Sequence, residues 1–415
     1  MAAEPDLCNG IMTRFLKHFV PLYLSANIFY SSCESNHSAQ PDDQQIPYPD
    51  TGKSIADAGG SGNDIIRTSD GNYVIIGTRS YADPITPLIP KIDAYLVKIT
   101  EHGDTLWKRV LGEFDAEHGN SVNEMPDGSL IIGMTTIYTQ ETSVHYDVTA
   151  IRTDNNGQIL WKRSFLGLWA EFYGCYIQPA SDGGFVISGT STITGNGTYD
   201  VTLLKMNSSG DSLWTKTFPG AGNEYVTAFQ KTSDDGYAVF GNAQSIGILG
   251  FLMKTNTSGE QLWTQSYGFL SNNGKMTGQQ TADGGFILCA TKLVNGYENI
   301  YLVRTNSSGD TLWTRTYGGL GADVAHRVRM TSDGGCILAG VTTSFGHPSG
   351  YDVYLVRTNS TGDTLWTRTY GGPLNDYVHS VIETDDRGFI AVGETENYGN
   401  GIFFVRTDSL GNELD

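Results

Sequence analysis

The chain has 415 residues and a formal net charge of −19, from 26 basic and 45 acidic residues, and only 17% of its residues are charged. Its 39% of hydrophobic and 11% of aromatic residues exclude a disordered chain. The excess of acidic residues argues against binding to nucleic acid or to an anionic membrane surface.

Residues 1–33 have the features of a lipoprotein-type signal peptide. Arg14 and Lys17 precede a short apolar stretch, FVPLYLSANIFY, and two small residues then lead to Cys33. A basic segment, an apolar segment and a small-residue cleavage site together indicate secretion. We therefore predict that Cys33 is lipidated as the first mature residue and that Met12 is an alternative start. The other interpretation is an ordinary N-terminal tail or an uncleaved anchor.

Residues 34–49 are polar and contain proline, which is typical of a flexible tether. No other stretch approaches the run of about 20 apolar residues that a membrane span needs. The predicted location is the cell envelope, either as an outer membrane lipoprotein or on the extracellular surface, with the lipid anchor as the only membrane contact.

Two phrases alternate from residue 50 to the end of the chain. One ends in tryptophan, as in TNSSGDTLW at Trp313, and occurs six times, while a seventh copy ends at Asp415. Successive copies are 54, 53, 49, 50, 53 and 49 residues apart. The other phrase, TSDGGCILAG at Asp333, also has seven copies. Seven units of about 50 residues are typical of the blades of a β-propeller.

Each unit is predicted to form four antiparallel strands, here called A to D. In the sixth unit the strands VAHRVRMT, CILAGVTT, YDVYLVRT and TLWTRTY are separated by turns such as SDGG and NSTGD. The chain ends after strand C of the last unit, and Asp50–Ile55 fall where its strand D should be. We predict an all-β, seven-bladed β-propeller over residues 50–415, closed into a ring by this N-terminal strand.

The phrase TNSSGDTLW, with a glycine four positions before the tryptophan, resembles the repeat of PQQ-like (quinoprotein-like) propellers. The chain is also similar to a family of bacterial secreted and lipoprotein β-propeller repeat proteins with SDGG and DTLW phrases. The resemblance covers residues 50–415, although the last unit lacks the tryptophan. It implies the fold and not a quinone cofactor, because one fold carries many functions.

Residues that recur in every unit are interpreted as structural. The tryptophan is expected to be buried, and Cys175, Cys289 and Cys336 are expected to be buried free thiols. A basic residue ends strand C in all seven units and is expected to pair with a turn acid or a carbonyl: Lys98, Arg152, Lys205, Lys254, Arg304, Arg357 and Arg406.

The candidate site lies where the loops vary, at the end of the ring that carries the B–C and D–A loops. An acid recurs there ten residues before the turn aspartate, and we expect these acids to surround one channel mouth, near Tyr138 and Phe345. They either bind Ca²⁺ or a polar ligand, or accept backbone N–H groups at blade junctions. Trp169 either stacks on a ligand or packs in the core. The ligand-binding candidates are Glu117, His118, Trp169, Glu171, Glu224, Asp323 and Asp376.

The sequence contains no HExxH, GxSxG or Walker motif. A sialidase-like site would need arginines outside the repeated positions to converge on the channel, and most arginines occupy repeated positions. We therefore expect a monomeric, non-enzymatic binding or scaffold module for an envelope protein or a glycan, with Ca²⁺ as the only candidate ion. A glycan-active or quinone-type propeller enzyme is the alternative. An acidic loop face predicts a partner that is cationic, metal-bridged or neutral.

Overall fold

The computed structural model describes residues 52–55, 60–82, 90–112, 116–140, 143–165, 175–191, 199–244, 247–272, 274–397 and 401–414. The signal peptide, Cys33 and the tether lie outside these ranges and stay predictions. The described strands belong to one compact unit, Tyr48–Asp415. Within the described ranges the regular structure consists of β-strands, and no helix there could cross a membrane.

The strands follow one another at the intervals that the repeats predict. They begin with β1 (Lys53–Ile55), β2 (Gly60–Arg67), β3 (Tyr73–Ala82), β4 (Pro90–Ile99), β5 (Thr105–Val110), β6 (Ala116–Glu124), β7 (Leu130–Gln140), β8 (Ser143–Thr153), β9 (Ile159–Phe165), β10 (Tyr176–Pro179), β11 (Phe185–Ser191), β12 (Asp200–Met206) and β13 (Ser212–Phe218). They continue with β14 (Asn223–Lys231), β15 (Tyr237–Gln244), β16 (Ile248–Thr255), β17 (Gln261–Phe269), β18 (Thr277–Gln280), β19 (Phe286–Val294), β20 (Tyr297–Thr305), β21 (Thr311–Tyr317), β22 (Asp323–Met330), β23 (Cys336–Thr342), β24 (Asp352–Thr358), β25 (Thr364–Tyr370), β26 (Asp376–Glu383), β27 (Phe389–Thr395) and β28 (Gly401–Thr407).

The strands pair antiparallel in groups of four, as predicted. Four of the four-stranded sheets are β10–β13, β14–β17, β18–β21 and β22–β25, each in chain order. An eight-stranded sheet combines two further groups, β2–β5 and β6–β9, through one parallel pair between Ile92 and Ala116. The remaining sheet has the order β1-β28-β27-β26, and Lys53 lies opposite Phe404 in it. The N-terminal strand therefore occupies the position that strand D holds in the other groups.

The core lies between neighbouring groups. The first strand of each group contacts the first strand of the next, and β2 contacts both β6 and β26. Ile65 and Ile75 of the first repeat share a buried cluster with Ile390, Val392 and Ile402 of the last. The two ends of the described strand series are therefore packed against each other.

The basic residue that ends strand C pairs with the turn aspartate of its own repeat in all seven units, which confirms the prediction. Arg357 is representative, since its side chain is 7% exposed and its Nη2 lies 2.6 Å from Asp333 Oδ2. The seven nitrogen–oxygen distances lie between 2.6 and 2.9 Å, for Lys98–Asp70, Arg152–Asp127, Lys205–Asp182, Lys254–Asp234, Arg304–Asp283, Arg357–Asp333 and Arg406–Asp386.

The repeated tryptophans are half-buried and not fully buried as expected. The reason is their place on the outermost strand, where only the next repeat can cover them. A Cβ on Gly362 would lie 2.7 Å from the Trp313 ring, so only glycine lets the turn approach so closely. The guanidinium of Arg315 lies 5.4 Å from the centroid of the same ring. The three cysteines are buried and free, as predicted.

Candidate functional site on the inner strands

The predicted acids are buried where strand D of one repeat leads into strand A of the next. Glu117, Asp323 and Asp376 have 0% of their surface exposed, and Glu224 has 8%. Asp323 accepts hydrogen bonds from Thr342 Oγ1 at 2.5 Å and from the Gly319 N–H at 2.7 Å. Through these hydrogen bonds the carboxylate of Asp323 connects the loop before β22 with the end of β23.

Asp376 has the same surroundings in the last repeat. It accepts hydrogen bonds from the Gly372 N–H at 2.8 Å and from Asn397 Nδ2 at 2.6 Å. In Glu224, the carboxylate accepts the Gly222 N–H at 3.1 Å. These hydrogen bonds fit the interpretation in which the acids accept backbone N–H groups at blade junctions. A ligand-binding role for the acids stays a prediction.

A second buried acid faces the first at two of these junctions, and the sequence analysis missed it. Asp352 begins the strand C that precedes Asp376, and Asp200 holds the same place before Glu224. Burial, and further the charge of Asp376, raise the pKa of Asp352 to about 6. Burial raises the pKa of Glu224 as well, and the charge of Asp200 adds to the effect. The only sequence signal is the repeated Tyr-Asp dipeptide at the start of strand C.

The other predicted site residues belong to several different elements. Trp169 and Glu171 lie outside the described residues. His118 lies on β6, half-buried, and burial lowers its pKa. Tyr138 lies on β7, and Phe345 packs against Tyr354 with ring centroids 5.3 Å apart. Their ligand-binding role stays a prediction.

A β-bulge recurs in the inner strands, always seven residues before the turn aspartate. The pairing register skips this one residue in β2, β6, β14, β22 and β26, while β10 and β18 begin directly after it. A bulge leaves its extra residue unpaired and redirects its side chain. The bulged residues are Asn63, Asn120, Thr227, His326 and His379.

In the last two inner strands the bulge brings two histidines together. The rings of His326 and His379 stack with centroids 5.5 Å apart, and their Nδ1 atoms are 3.4 Å apart. Burial lowers the pKa of His326 well below its usual value, and the neighbouring His379 adds to this. Burial, and further the charges of Lys275 and Arg327, lower the pKa of His379 to about 4. Both rings are therefore neutral at pH 7.

Charged side chains from the sixth and the first repeat meet at Asp64, and Arg327 also acts on His379 of this pair. Arg327 Nη2 lies 3.0 Å from Asp64 Oδ1, and Arg329 Nη2 lies 3.7 Å from the same oxygen. Ser380 Oγ donates to that oxygen at 3.1 Å. Burial raises the pKa of Tyr176 to about 12, and the charges of Arg327 and Asp64 act on it in opposite directions. The group formed by Asp64, Tyr176, His326, Arg327, Arg329 and His379 is called the inner cluster below.

The inner cluster contains groups that can bind a charged or polar ligand. Two guanidinium groups supply planar donors, and the neutral imidazoles can donate, accept or take up a proton. The sequence offered one signal for it, because Arg327 and Arg329 lie outside the repeated basic positions. The histidines are 53 residues apart, so no local motif could reveal them. Among the described residues, no group of three or more His, Cys, Asp or Glu side chains is placed to hold a metal ion.

Comparisons with known proteins identify the fold. No family model and no curated protein sequence matches the chain. A solved ulvan lyase of a new polysaccharide lyase family is similar, with a TM-score of 0.50, 10% identity and coverage of 89% of this chain and 97% of that one. The β-propeller domain of the trilobed protease from Pyrococcus furiosus has a TM-score of 0.48, 9% identity and coverage of 88% and 96%. BBS1N, solved in complex with ARL6DN, has a TM-score of 0.47, 9% identity and coverage of 85% and 93%.

The similarity to the ulvan lyase, together with the four-stranded antiparallel sheets, confirms the all-β propeller prediction at the level of the fold. Identities of 9–10% carry no activity across to this chain.

Proposed function

We propose that residues 50–415 form one seven-bladed, PQQ-like propeller whose ring is closed by β1. The support is threefold: β1 pairs with β28, the first and last repeats share a buried cluster, and Arg67 of the first repeat pairs with Asp385 of the last. A closed ring leaves only short edges exposed to pairing with other chains.

We propose further that this propeller is a non-catalytic binding or scaffold module for an envelope protein or a glycan, anchored through Cys33. The observation that carries the proposal is the contrast between repeated and unrepeated charges. The repeated basic residues pair within their own repeats, as Arg357 does with Asp333. The unrepeated Arg327 and Arg329 instead meet Asp64 across different repeats. Charged residues that do not recur in every repeat are not needed for the structure that the blades share, and they can therefore contribute to ligand binding.

The binding role is tested by capture from the native envelope. The tagged full chain, the Arg329→Gln variant and the Arg315→Gln variant are crosslinked in cells, purified and analysed for bound protein and glycan. Arg315 is a matched control, because its side chain is 40% exposed against 31% for Arg329 but it lies on the outermost strand. We expect one component to be retained by the wild type and by Arg315→Gln and lost from Arg329→Gln. Equal retention by all three, or enrichment of nothing, contradicts the proposal.

The anchor is tested separately with Cys33→Ser. We expect metabolic labelling with a radioactive fatty acid in the wild type and none in the variant, which should move from the membrane to the soluble fraction. Label that persists in Cys33→Ser rules out this attachment site.

An enzyme is the second candidate, because the inner cluster places a neutral histidine pair near a tyrosine and a carboxylate. Such groups can act as general acids and bases. The test is turnover of a polysaccharide panel by the purified protein, with His379→Gln as the variant. Turnover that is lost in His379→Gln would replace the binding proposal with a glycan-active enzyme.

A further inference from the structure

We infer that the inner cluster is a binding site for an oxyanion, a carboxylate or phosphate group of a ligand, held by Arg327 and Arg329 beside the stacked histidines. The inference rests on the proposed binding function and names the chemistry that the site would recognise. It concerns the inner strands and is independent of the acids at the blade junctions.

The charge balance of the cluster is the first argument. Asp64 Oδ1 is the atom that Arg327, Arg329 and Ser380 all approach, at 3.0, 3.7 and 3.1 Å. One carboxylate thus faces two guanidinium groups. The side chains of Arg327 and Asp64 are 12% and 10% exposed, so this imbalance lies largely out of water. Charged groups that are removed from water are normally paired with opposite charges. An anionic ligand would supply the second negative charge that the two guanidinium groups lack.

The donors of the two arginines are the second argument. The Nε of Arg327 is buried and has no hydrogen-bond partner in the described part of the chain. The side chain of Arg329 is 31% exposed, so an entering group can reach it. Burial, and further the charge of Arg327, lower the pKa of Arg329 to about 10, so its cation persists at pH 7 but is less stable than it would be in water. Guanidinium groups bind carboxylate and phosphate through paired, charge-assisted hydrogen bonds.

The histidine pair is the third argument, because its electrostatic surroundings exclude a cation more readily than an anion. The two charges that act on His379 besides burial are both positive, those of Lys275 and Arg327. Lys275 and His379 also act on His326. A divalent metal ion at the rings would be repelled by the same charges. An anion would be attracted, and its charge would let the rings take up protons.

Protonation and anion binding are therefore coupled at this site. The groups that face it are Asp64 from β2, Tyr176 from β10, Lys275 ahead of β18, Arg327 and Arg329 from β22, and the rings from β22 and β26. Of these, the two imidazole rings are the groups that an anion would help to protonate, because burial and the neighbouring positive charges lower their pKa in its absence. Affinity for the anion should rise as the pH falls from 7 to 5.

The first test is calorimetric titration of the full chain with inorganic phosphate and, in parallel, with malonate, at constant ionic strength set by NaCl. We expect saturable binding of at least one probe, and the stronger of the two identifies the source as phosphate or carboxylate. Arg329→Gln should bind at least tenfold more weakly, and the control Arg315→Gln should bind like the wild type. Lys275→Gln serves as a second variant if Arg329→Gln does not fold, and it should weaken binding threefold or more. Equal affinity in all variants, or no binding of either probe, overturns the inference.

The second test follows the histidines by NMR. We expect the ring signals of His379 to titrate near pH 4 without ligand, and those of both His326 and His379 to titrate at least one pH unit higher with saturating anion than without it. The exposed His102, which lies on a turn, is the internal control, and its ring signals should not respond to the anion. Binding of Zn²⁺ by the same rings with no response to the anions would contradict the inference.

The two proposals fail in distinguishable ways. If an anion binds with this pattern but no envelope component is retained, the oxyanion site stands and the binding module fails. If a component is retained in an Arg329-dependent manner but neither anion binds, only the anion inference fails.

Discussion

The ion pair between strand C and its turn is the residue-level unit that every repeat shares. In the sixth repeat, Arg357 donates two hydrogen bonds to Asp333, at 2.6 and 2.7 Å, while its own side chain is 7% exposed. Burial, the largest single effect, raises the pKa of Asp333, but hydrogen bonds from Arg357, Thr331 and the Gly335 N–H together lower it to about 2. The aspartate thus compensates a charge that the strand has taken out of water.

Asp333→Asn should therefore destabilise the protein by about 1–3 kcal/mol, because it leaves the buried guanidinium with neutral partners only. Asp385→Asn is the control, since Asp385 is 74% exposed in its pair with Arg67 and such surface pairs contribute roughly 0–1 kcal/mol. Urea denaturation at pH 7 measures both. Similar losses in the two variants would show that the repeated pair is no more than a surface contact.

Gly371 illustrates how closely the backbone approaches the buried acids. A Cβ at this position would lie 2.5 Å from both Asp352 Oδ1 and Asp376 Oδ2, and its φ is +148°. We expect Gly371→Ala to cost about 2–4 kcal/mol, through steric conflict added to backbone strain. Gly334→Ala separates the two effects, because Gly334 also has a positive φ, +85°, but has open space around it. Backbone strain alone should cost about 1 kcal/mol. Equal thermal shifts for both variants would contradict the close approach.

The sequence predicts the partners of residues whose role is repeated, but it does not predict contacts between different repeats. The partner of Arg357 could be predicted because seven copies of the same strand and turn carry the same charges. The pairing of Asp352 with Asp376 joins two repeats, and nothing within one repeat shows it. His326 and His379 meet because two neighbouring inner strands carry the same bulge. A bulge changes the register by one residue without any change in the composition of the strand.

Strand order was the most predictable feature at the level of elements, because the turns specify it. Asp-Gly turns between apolar runs fix each hairpin, and four such strands per repeat appear in the sheets. The strand β1 was predictable only by counting, since the last repeat lacks its own strand D. Its three residues, Lys53–Ile55, carry no pattern that would mark them as a strand.

The contribution of β1 can be measured at Ile55, which is 6% exposed and packs in the cluster shared by the first and last repeats. Ile55→Ala should destabilise the protein by roughly 2–4 kcal/mol, through lost burial and the cavity that remains. The control is Leu106→Ala on the outer strand β5, since Leu106 is 50% exposed and surface substitutions usually change stability by less than about 0.5 kcal/mol. If both variants unfold at the same urea concentration as the wild type, β1 does not stabilise the packing between the first and last repeats.

The net charge of −19 has a different meaning once the whole molecule is considered. Acids such as Asp323 and Asp376 are buried at blade junctions, and the turn aspartates are paired with strand C. The inner cluster, in contrast, has more guanidinium groups than carboxylates. A chain that is acidic overall can therefore contain a local cluster with an excess of positive charge, which composition alone could not reveal.

The environments of His379 and Asp352 shift their pKa values in opposite directions, so the two groups should make the stability of the protein depend on pH with opposite signs. The pKa of His379 is lowered to about 4 in the folded protein from 6.5, so its contribution is fully present above pH 6.5 and is lost as the pH falls towards 4. The pKa of Asp352 is raised to about 6 from 3.8, so its contribution is fully present below pH 3.8 and is lost as the pH rises through 6. The lowered pKa of Asp333, about 2, matters only below about pH 4.

Single variants separate these effects within the window from pH 7 to 4.5. The wild type loses stability on acidification because His379 resists protonation in the folded protein, and His379→Gln lacks this loss. The free energy of unfolding of the wild type minus that of His379→Gln should therefore fall by about 2 kcal/mol from pH 7 to 4.5. Asp352→Asn should have the opposite effect, because the wild type gains stability on acidification as Asp352 takes up a proton. The wild type should therefore become more stable relative to Asp352→Asn as the pH falls. Urea denaturation of the three proteins at half-unit pH intervals measures both differences. If the free-energy difference between the wild type and each variant stays constant with pH, neither group changes its proton affinity on folding. If both differences change with pH in the same direction, one of the two environments is wrongly assigned.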